Sequence, residues 1–226
     1  MMLASERARA LQPTEFLDAQ SRVVQDFAQH CAGDAETARE RARRLFYGVR
    51  DGLRYDVYGA DLRREAMRAS ALLHSRTGFC IHKSIVYAAA ARSLGIPARL
   101  AFVDVRNHIA SSRLIELVGG DVFRFHAYAE IWLDDRWIKV TPVFNRTLCL
   151  LFGVPPLEFD GTNDAVAQPF DRNGNRYLEV LHHHGSFDDF PFDLCMTVLR
   201  THHPRLFAER GRTVHGDLPA EAVAGS

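Results

Sequence analysis

Residues 78–99 read GFCIHKSIVYAAAARSLGIPAR. From Cys80 onward this run is rich in Ala, has no internal Gly or Pro, and stops at Gly95 with Pro97 behind it. It therefore predicts a buried helix that begins at or near Cys80. A thiolate at that position meets unpaired backbone N–H groups and the positive end of the helix dipole. Gly78, two residues earlier, allows a tight approach of the chain and leaves room for a substrate backbone. The opposing reading of Cys80 is a buried structural cysteine, the commoner fate of a single thiol.

On the N-terminal side, apolar positions at Phe16, Ala19, Val23, Phe27 and Cys31 recur at the helical period, with Thr14 as N-cap and Gly33 as stop. Asp34 opens a second expected helix with its face at Ala35, Ala38, Ala42, Leu45, Phe46 and Val49; a shorter run covers residues 65–74. On the C-terminal side the pattern changes to extended runs over residues 98–105, 125–133 and 137–143. Asp134-Asp135-Arg136 makes a hairpin-sized connection between the last two. Asn173-Gly174 signals another hairpin, residues 108–122 suggest a loop or lid, and the weakly apolar residues 211–226 are expected to fray. Helices followed by strands, without repeat or linker, argue for one α+β domain over residues 1–226. Its parts are N-terminal helices over 14–75, a core over about 76–146 and a C-terminal extension over 147–226.

Composition narrows the function. The 226 residues are 47% hydrophobic and 25% charged, ordinary for a globular chain. Lys+Arg and Asp+Glu are both 28, so no charge excess points to nucleic acid or an anionic membrane as partner. No stretch approaches the ~20 apolar residues of a membrane helix, and the first residues lack the apolar centre of a secretory signal. The four cysteines are far apart with no C-x-x-C pair, which makes neither a zinc ribbon nor a dense disulfide frame. A reduced, cytoplasmic protein is the expectation.

His126 begins a run in which His126, Tyr128, Glu130 and Trp132 share one face by alternation. It can serve a thiol as base or simply be satisfied within a sheet. Residues 78–99 followed by HAYAEIWLDDRWIKVTP at 126–142 resemble the transglutaminase-like superfamily. There a Gly-x-Cys opens a helix ending in Gly-Ile-Pro-Ala-Arg, an H-x-W-x-E strand carries the His, and a hairpin leads to W-x-x-V-D. The matching positions are Cys80, residues 95–99, His126, Tyr128 in the Trp place, Glu130 and Trp137. The second strand also resembles a bacterial branch reading K-A-T-P-A-F-N. The resemblance implies a papain-like fold with the nucleophile helix packed on an antiparallel sheet, and a Cys-His-Asp triad. It implies thioester chemistry on a peptide or protein amide, by transamidation or hydrolysis as a protease or amidase, with no metal or organic cofactor.

The third triad position departs from that pattern. Thr141 stands where the superfamily has Asp, and a hydroxyl accepts from imidazole but carries no charge to stabilise imidazolium. Asn145 lies on the same face if alternation continues past Pro142, and papain-like enzymes use Asn there. Asp104 on the preceding strand is another source of a carboxylate, although Asp104 and Asn107 at a strand end also simply make turns. His182-His183-His184 with His202-His203 invites a metal reading, but neighbours on a strand point to opposite faces and no acidic or Cys partner stands at a zinc-motif spacing. Two alternatives to an enzyme of this type remain: a non-catalytic binding module with a degenerate cleft, and a His-cluster metalloenzyme.

Overall fold

A computed structural model describes residues 3–108, 110–166, 178–207 and 216–224. Four helices come first: α1 (Ala4–Arg9), α2 (Arg22–Ala32), α3 (Ala38–Gly52) and α4 (Ala69–Ser75). A two-residue strand β1 (Arg54–Tyr55) pairs in parallel with β2 (Thr77–Gly78), which leads straight into α5 (Cys80–Ser93). Then follow β3 (Ala98–Asn107), α6 (Ser112–Val118), β4 (Val122–Leu133), β5 (Arg136–Val140), α7 (Arg146–Leu151), β6 (Leu178–Phe187), α8 (Phe192–His202) and α9 (Leu218–Ala224). The four long strands form one antiparallel sheet in the order β5-β4-β3-β6. This is the α+β arrangement that the order of patterns implies. Among the described residues no helix is long and apolar enough to cross a membrane.

α5 is the axle. Every residue from Cys80 to Arg92 is buried, as expected of a helix with no polar face. Its alanines let α2, α3 and α4 close in from one side and β3 and β4 from the other. Phe102, Phe125, Ala127, Ala129 and Ile131 belong to the core shared with α5, whereas Ala101, Val103, Val105 and Tyr128 form a smaller cluster with Cys149, Val154 and Leu178. The β4–β5 connection is Asp134-Asp135, both with positive φ (49° and 60°), the backbone of a tight hairpin turn.

Several boundaries differ from the sequence expectation. The first long helix starts at Arg22, because Phe16 is drawn away to pack against Phe190 and Phe192 (ring centroids 5.3 and 5.6 Å). Thr14 caps only a local turn, accepting from the Leu17 amide at 3.3 Å. α3 starts after Thr37, whose hydroxyl accepts from the Glu40 amide at 3.2 Å; Asp34 instead pairs with Arg44 at 2.6 Å. The 65–74 run splits at the extended residue Arg68 into a 3-10 turn (Arg64–Met67) and α4. The Ala69 and Ser70 amides bond Phe16 and Asp18 rather than a preceding turn. The 108–122 segment contains α6, capped by Ser111. Part of the expected frayed tail is α9, with Leu218 buried and Glu221 accepting from the Tyr58 hydroxyl at 2.8 Å. The Asn173-Gly174 hairpin lies outside the described residues.

Candidate functional site

Cys80 is the first residue of α5, and the approach of the chain to it is dictated by Gly78. A Cβ at Gly78 would sit 2.5 Å from the Cβ of His82, so the space that glycine leaves is filled by the protein itself. One turn on, Ser84 Oγ donates to the Ala127 carbonyl at 3.3 Å, tying the helix start to the residue after His126. Burial pushes the Cys80 thiol up to about 12, against the opposing effect of backbone groups of Ala127, Ile81 and Cys80 itself. Burial likewise pushes His126 down to about 4. Both groups are therefore uncharged in this state.

The backbone ahead of His126 is irregular. Val103 pairs with His126 and Val105 with Phe123, so Arg124 and Phe125 together oppose Asp104 in a two-against-one bulge. Phe125 takes φ 59°, a left-handed conformation that costs an L-residue roughly 1–2 kcal/mol. Asp104, 3% exposed, supplies the compensation. Its Oδ1 accepts from the Phe125 amide at 3.0 Å and from His184 Nε2 at 2.7 Å, and its Oδ2 accepts from Arg124 Nη1 at 2.7 Å. Hydrogen bonds to a charged group contribute about 1.5–3 kcal/mol each, more than the strain they hold. Burial opposes the charge, but these donors win and hold the carboxyl near 2.

Cys80 and His126 line one small cavity of about 40 Å³, with Phe79, Val57, Phe125 and Arg124 around them. That volume suits about one water and no substrate. Its remaining wall comes from Val118 at the end of α6 and from Leu199, His203 and Leu206 of α8 and the 3-10 turn Pro204–Phe207. His203 fastens this wall. Its Nδ1 donates to the Val118 carbonyl at 2.7 Å, and its Nε2 accepts the Arg124 amide at 2.9 Å, two residues before His126. A nitrogen that accepts a backbone N–H carries no proton, so His203 is neutral here, and burial pushes its pKa down. Arg205 adds a bond to the Glu116 carbonyl at 2.6 Å.

The two sequence candidates for the third position sit differently. β5 ends at Val140, and the Thr141 amide turns to the Ala165 carbonyl at 2.8 Å instead of continuing along β4. Thr141 is buried, and among the described residues its hydroxyl makes no hydrogen bond with His126. Asn145 does not continue the strand; it stands at the start of α7. Its Nδ2 donates to the carbonyls of Arg50 (2.5 Å) and Leu53 (2.9 Å), and its Oδ1 accepts from the Tyr55 amide at 2.7 Å. With both amide protons engaged by backbone, Asn145 is a clasp on the end of α3, not an orienter of imidazole. Lys83, which the sequence did not single out, reaches the same two carbonyls at 2.7 and 2.8 Å. Its desolvation outweighs the pull of Asp51 and brings it down to about 7.

The profile of the transglutaminase-like superfamily matches residues 25–142, more than half of the chain. The protein belongs to the transglutaminase-like superfamily. The match takes in α2 to α5 and the β3-β4-β5 part of the sheet, so the fold is the transglutaminase-like core with helices packed around the Cys80 helix. No curated protein matches the chain. Among solved structures, a candidate cysteine protease from Cytophaga hutchinsonii is similar at 15% identity and a TM-score of 0.49, covering 82% of this chain and 55% of that one. The periplasmic domain of TgpA from Pseudomonas aeruginosa bound to ethylmercury is similar at 20% identity and 0.43, covering 62% and 49%. A candidate protease from Parabacteroides distasonis is similar at 11% and 0.39, covering 63% and 27%. The chain thus spans only about a quarter to a half of the length of these proteins.

In this member of the superfamily the His-rich stretch lies on β6. His184 joins Asp104, and His182 packs edge-on to it at 4.7 Å. Among the described residues no group of three or more His, Cys, Asp or Glu side chains could hold a metal ion. Asp104 lies inside β3 rather than at a turn, because β3 runs on to Asn107. Its role and those of His184 and His203 escaped sequence reading. The sequence gives no sign of the bulge, because Phe123, Phe125, Ala127 and Ala129 keep an unbroken period of two through it.

Proposed function

We propose that Cys80 and His126 are the nucleophile and base of a cysteine acyltransferase or amide hydrolase acting on a peptide or protein amide. The single observation carrying this reading is that a thiol at a helix start and an imidazole on the facing strand line one cavity. The uncharged, largely buried pair is a resting state. Substrate entry displaces the wall formed by α8 and the turn after it, and the polar amide relieves the desolvation that keeps both groups neutral. The Cys80 proton then passes to His126, and sulfur attacks the amide carbon. Backbone N–H groups at the start of α5, including that of Cys80, stabilise the oxyanion. The C–N bond breaks, imidazolium returns its proton to the leaving amine, and a thioester remains on Cys80. Water or an amine then attacks the thioester with His126 as base; the fold leaves the choice of acceptor open. Thr141 takes the third position as a neutral acceptor for the imidazole N–H once the site opens.

The narrowness of the cavity and the Thr at the third position favour one rival, a non-catalytic module that keeps the cleft. Iodoacetamide labelling resolved by mass at pH 6.5, in wild type and in His203→Ala, separates the two. Activation predicts that Cys80 reacts faster than the half-buried Cys31, that His126→Ala removes the advantage, and that Cys80→Ala abolishes amine release from amide-bearing peptides. Equal reactivity of all four thiols in both proteins would sink the enzymatic reading.

A further inference from the structure

We infer that Asp104 is the positioning residue for His126, acting through the backbone of the bulge rather than through the imidazole. The inference rests on the Cys80–His126 reading and deepens it. Asp104 accepts from the Phe125 amide, Arg124 and His184, all of them neighbours of the bulge and none of them the His126 ring. What Asp104 holds is the conformation of Phe125, the left-handed residue that directly precedes His126. A bulge of this kind sets which face of the strand the next side chain takes, and a slip of one residue sends it to the other face. Here the loss of the bulge would carry His126 away from the cavity it shares with Cys80. His184 braces the same point twice, by its bond to Asp104 and by its ring, 4.8 Å from that of Phe125. A carboxylate on β3 thereby does indirectly what the superfamily's strand Asp does by contact.

The charged and titratable groups that line the cavity with His126 are Cys80 on α5, Tyr55 on β1, Arg124 on its own strand and His203 just after α8; Asp104 on β3 and His184 on β6 stand behind Arg124 and Phe125, and Cys195 on α8 acts on Cys80. A pH profile must therefore be read as a difference. The test is the rate of Cys80 alkylation by iodoacetamide between pH 5.5 and 8, taken for wild type, His126→Ala, Asp104→Ala and Asp104→Asn. The His126-dependent part is the gap between the first two. Asp104→Ala is expected to close that gap at least 10-fold at pH 6.5, while Cys31 and Cys149 label at wild-type rates. Asp104→Asn, which keeps an acceptor for the Phe125 amide, is expected to recover part of it. A purely structural role would instead raise labelling of all thiols and leave the shape of the profile alone. Should Asp104→Ala not fold, Arg124→Ala removes one brace from the half-exposed side and is expected to shrink the same gap. A gap unchanged in the Asp104 variants overturns this inference alone; no gap in wild type overturns the Cys80–His126 reading, and this inference with it.

Discussion

Replacing His203 by Ala should unlock the cavity. The side chain contributes two hydrogen bonds, to the Val118 carbonyl and from the Arg124 amide, across the seam between α8, α6 and β4. Removal leaves one buried acceptor and one buried donor to be rehydrated, and each such loss is worth about 1 kcal/mol net and more if no water enters. A loss of about 2 kcal/mol in the closed state raises the open population roughly 30-fold, at 1.4 kcal/mol per decade. Where opening is fast relative to labelling, the labelling rate follows that population. Iodoacetamide should therefore modify Cys80 roughly 30 times faster in His203→Ala than in wild type at pH 8, above the histidine range. Cys31, in α2 and remote from the wall, is the internal reference. A Cys80-to-Cys31 ratio that stays within about threefold of wild type would refute the latch. A parallel rise at both thiols would show global loosening instead.

Acid should destabilise the fold through its neutral histidines. His82 and His126 are both pushed down to about 4 by burial, from an unfolded value near 6.5. Between those limits the unfolded chain binds protons that the folded chain refuses. Stability is thus complete above pH 6.5 and falls towards pH 4, by about 3 kcal/mol for each group at full loss. Urea midpoints at pH 7, 5.5 and 4.5 should drop in that order; a flat series would contradict the burial of these rings. Asn145→Ala should cost about 2–3 kcal/mol through its three backbone bonds, yet leave the His126-dependent labelling of Cys80 in place, as a clasp and not a triad member would. Gly78→Ala should lower stability by about 1–3 kcal/mol, read as a lower urea midpoint, because its Cβ collides with His82. Thr141→Asp tests the third position: in the His203→Ala background it should raise Cys80 labelling at pH 6.5 several-fold by stabilising imidazolium, and no gain would remove Thr141 from that role.

How much of this was legible depends on the range of the interactions involved. α5 could be read because its signals are local: an alanine run, Gly95 with φ 77° after it, and Pro97 beyond. The β4–β5 hairpin could be read for the same reason, two aspartates in the two turn positions. The start of α2 could not. Phe16 fits the helical period of the residues after it, but its partners Phe190 and Phe192 lie more than 170 positions away and take it out of the helix. The break at Arg68 has a similar origin, since Phe16 and Asp18 claim the amides that would have continued the turn. α3 was displaced by a signal that was present and overlooked, the Thr37-x-x-Glu40 cap.

At the site, the same division separates residue type from residue state. Cys at a helix start marks itself, and His126 marks itself as a strand residue although β4 begins at Val122 and not beside it; whether a thiol is charged depends on what covers it. The cover is Leu199, His203 and Leu206, residues whose sequence suggests an ordinary amphipathic helix end. Asp-Val-Arg-Asn-His has the composition of a turn, so in the sequence Asp104 reads as a turn former as readily as a carboxylate source; only the two-against-one pairing with Arg124 and Phe125 turns its carboxylate into a brace. The third position was obscured one step further on. Counting from Trp137 reaches Thr141, yet where the strand stops is decided by the Ala165 carbonyl, which takes the Thr141 amide from the sheet. A residue 24 positions downstream thus sets the geometry of a site whose chemistry seemed to lie within one hairpin. With Thr141 where the superfamily pattern has Asp, what fixes the His126 ring is to be sought in such distant backbone contacts, and two of them flank it directly: the Phe125 amide held by Asp104 and the Ala127 carbonyl held by Ser84.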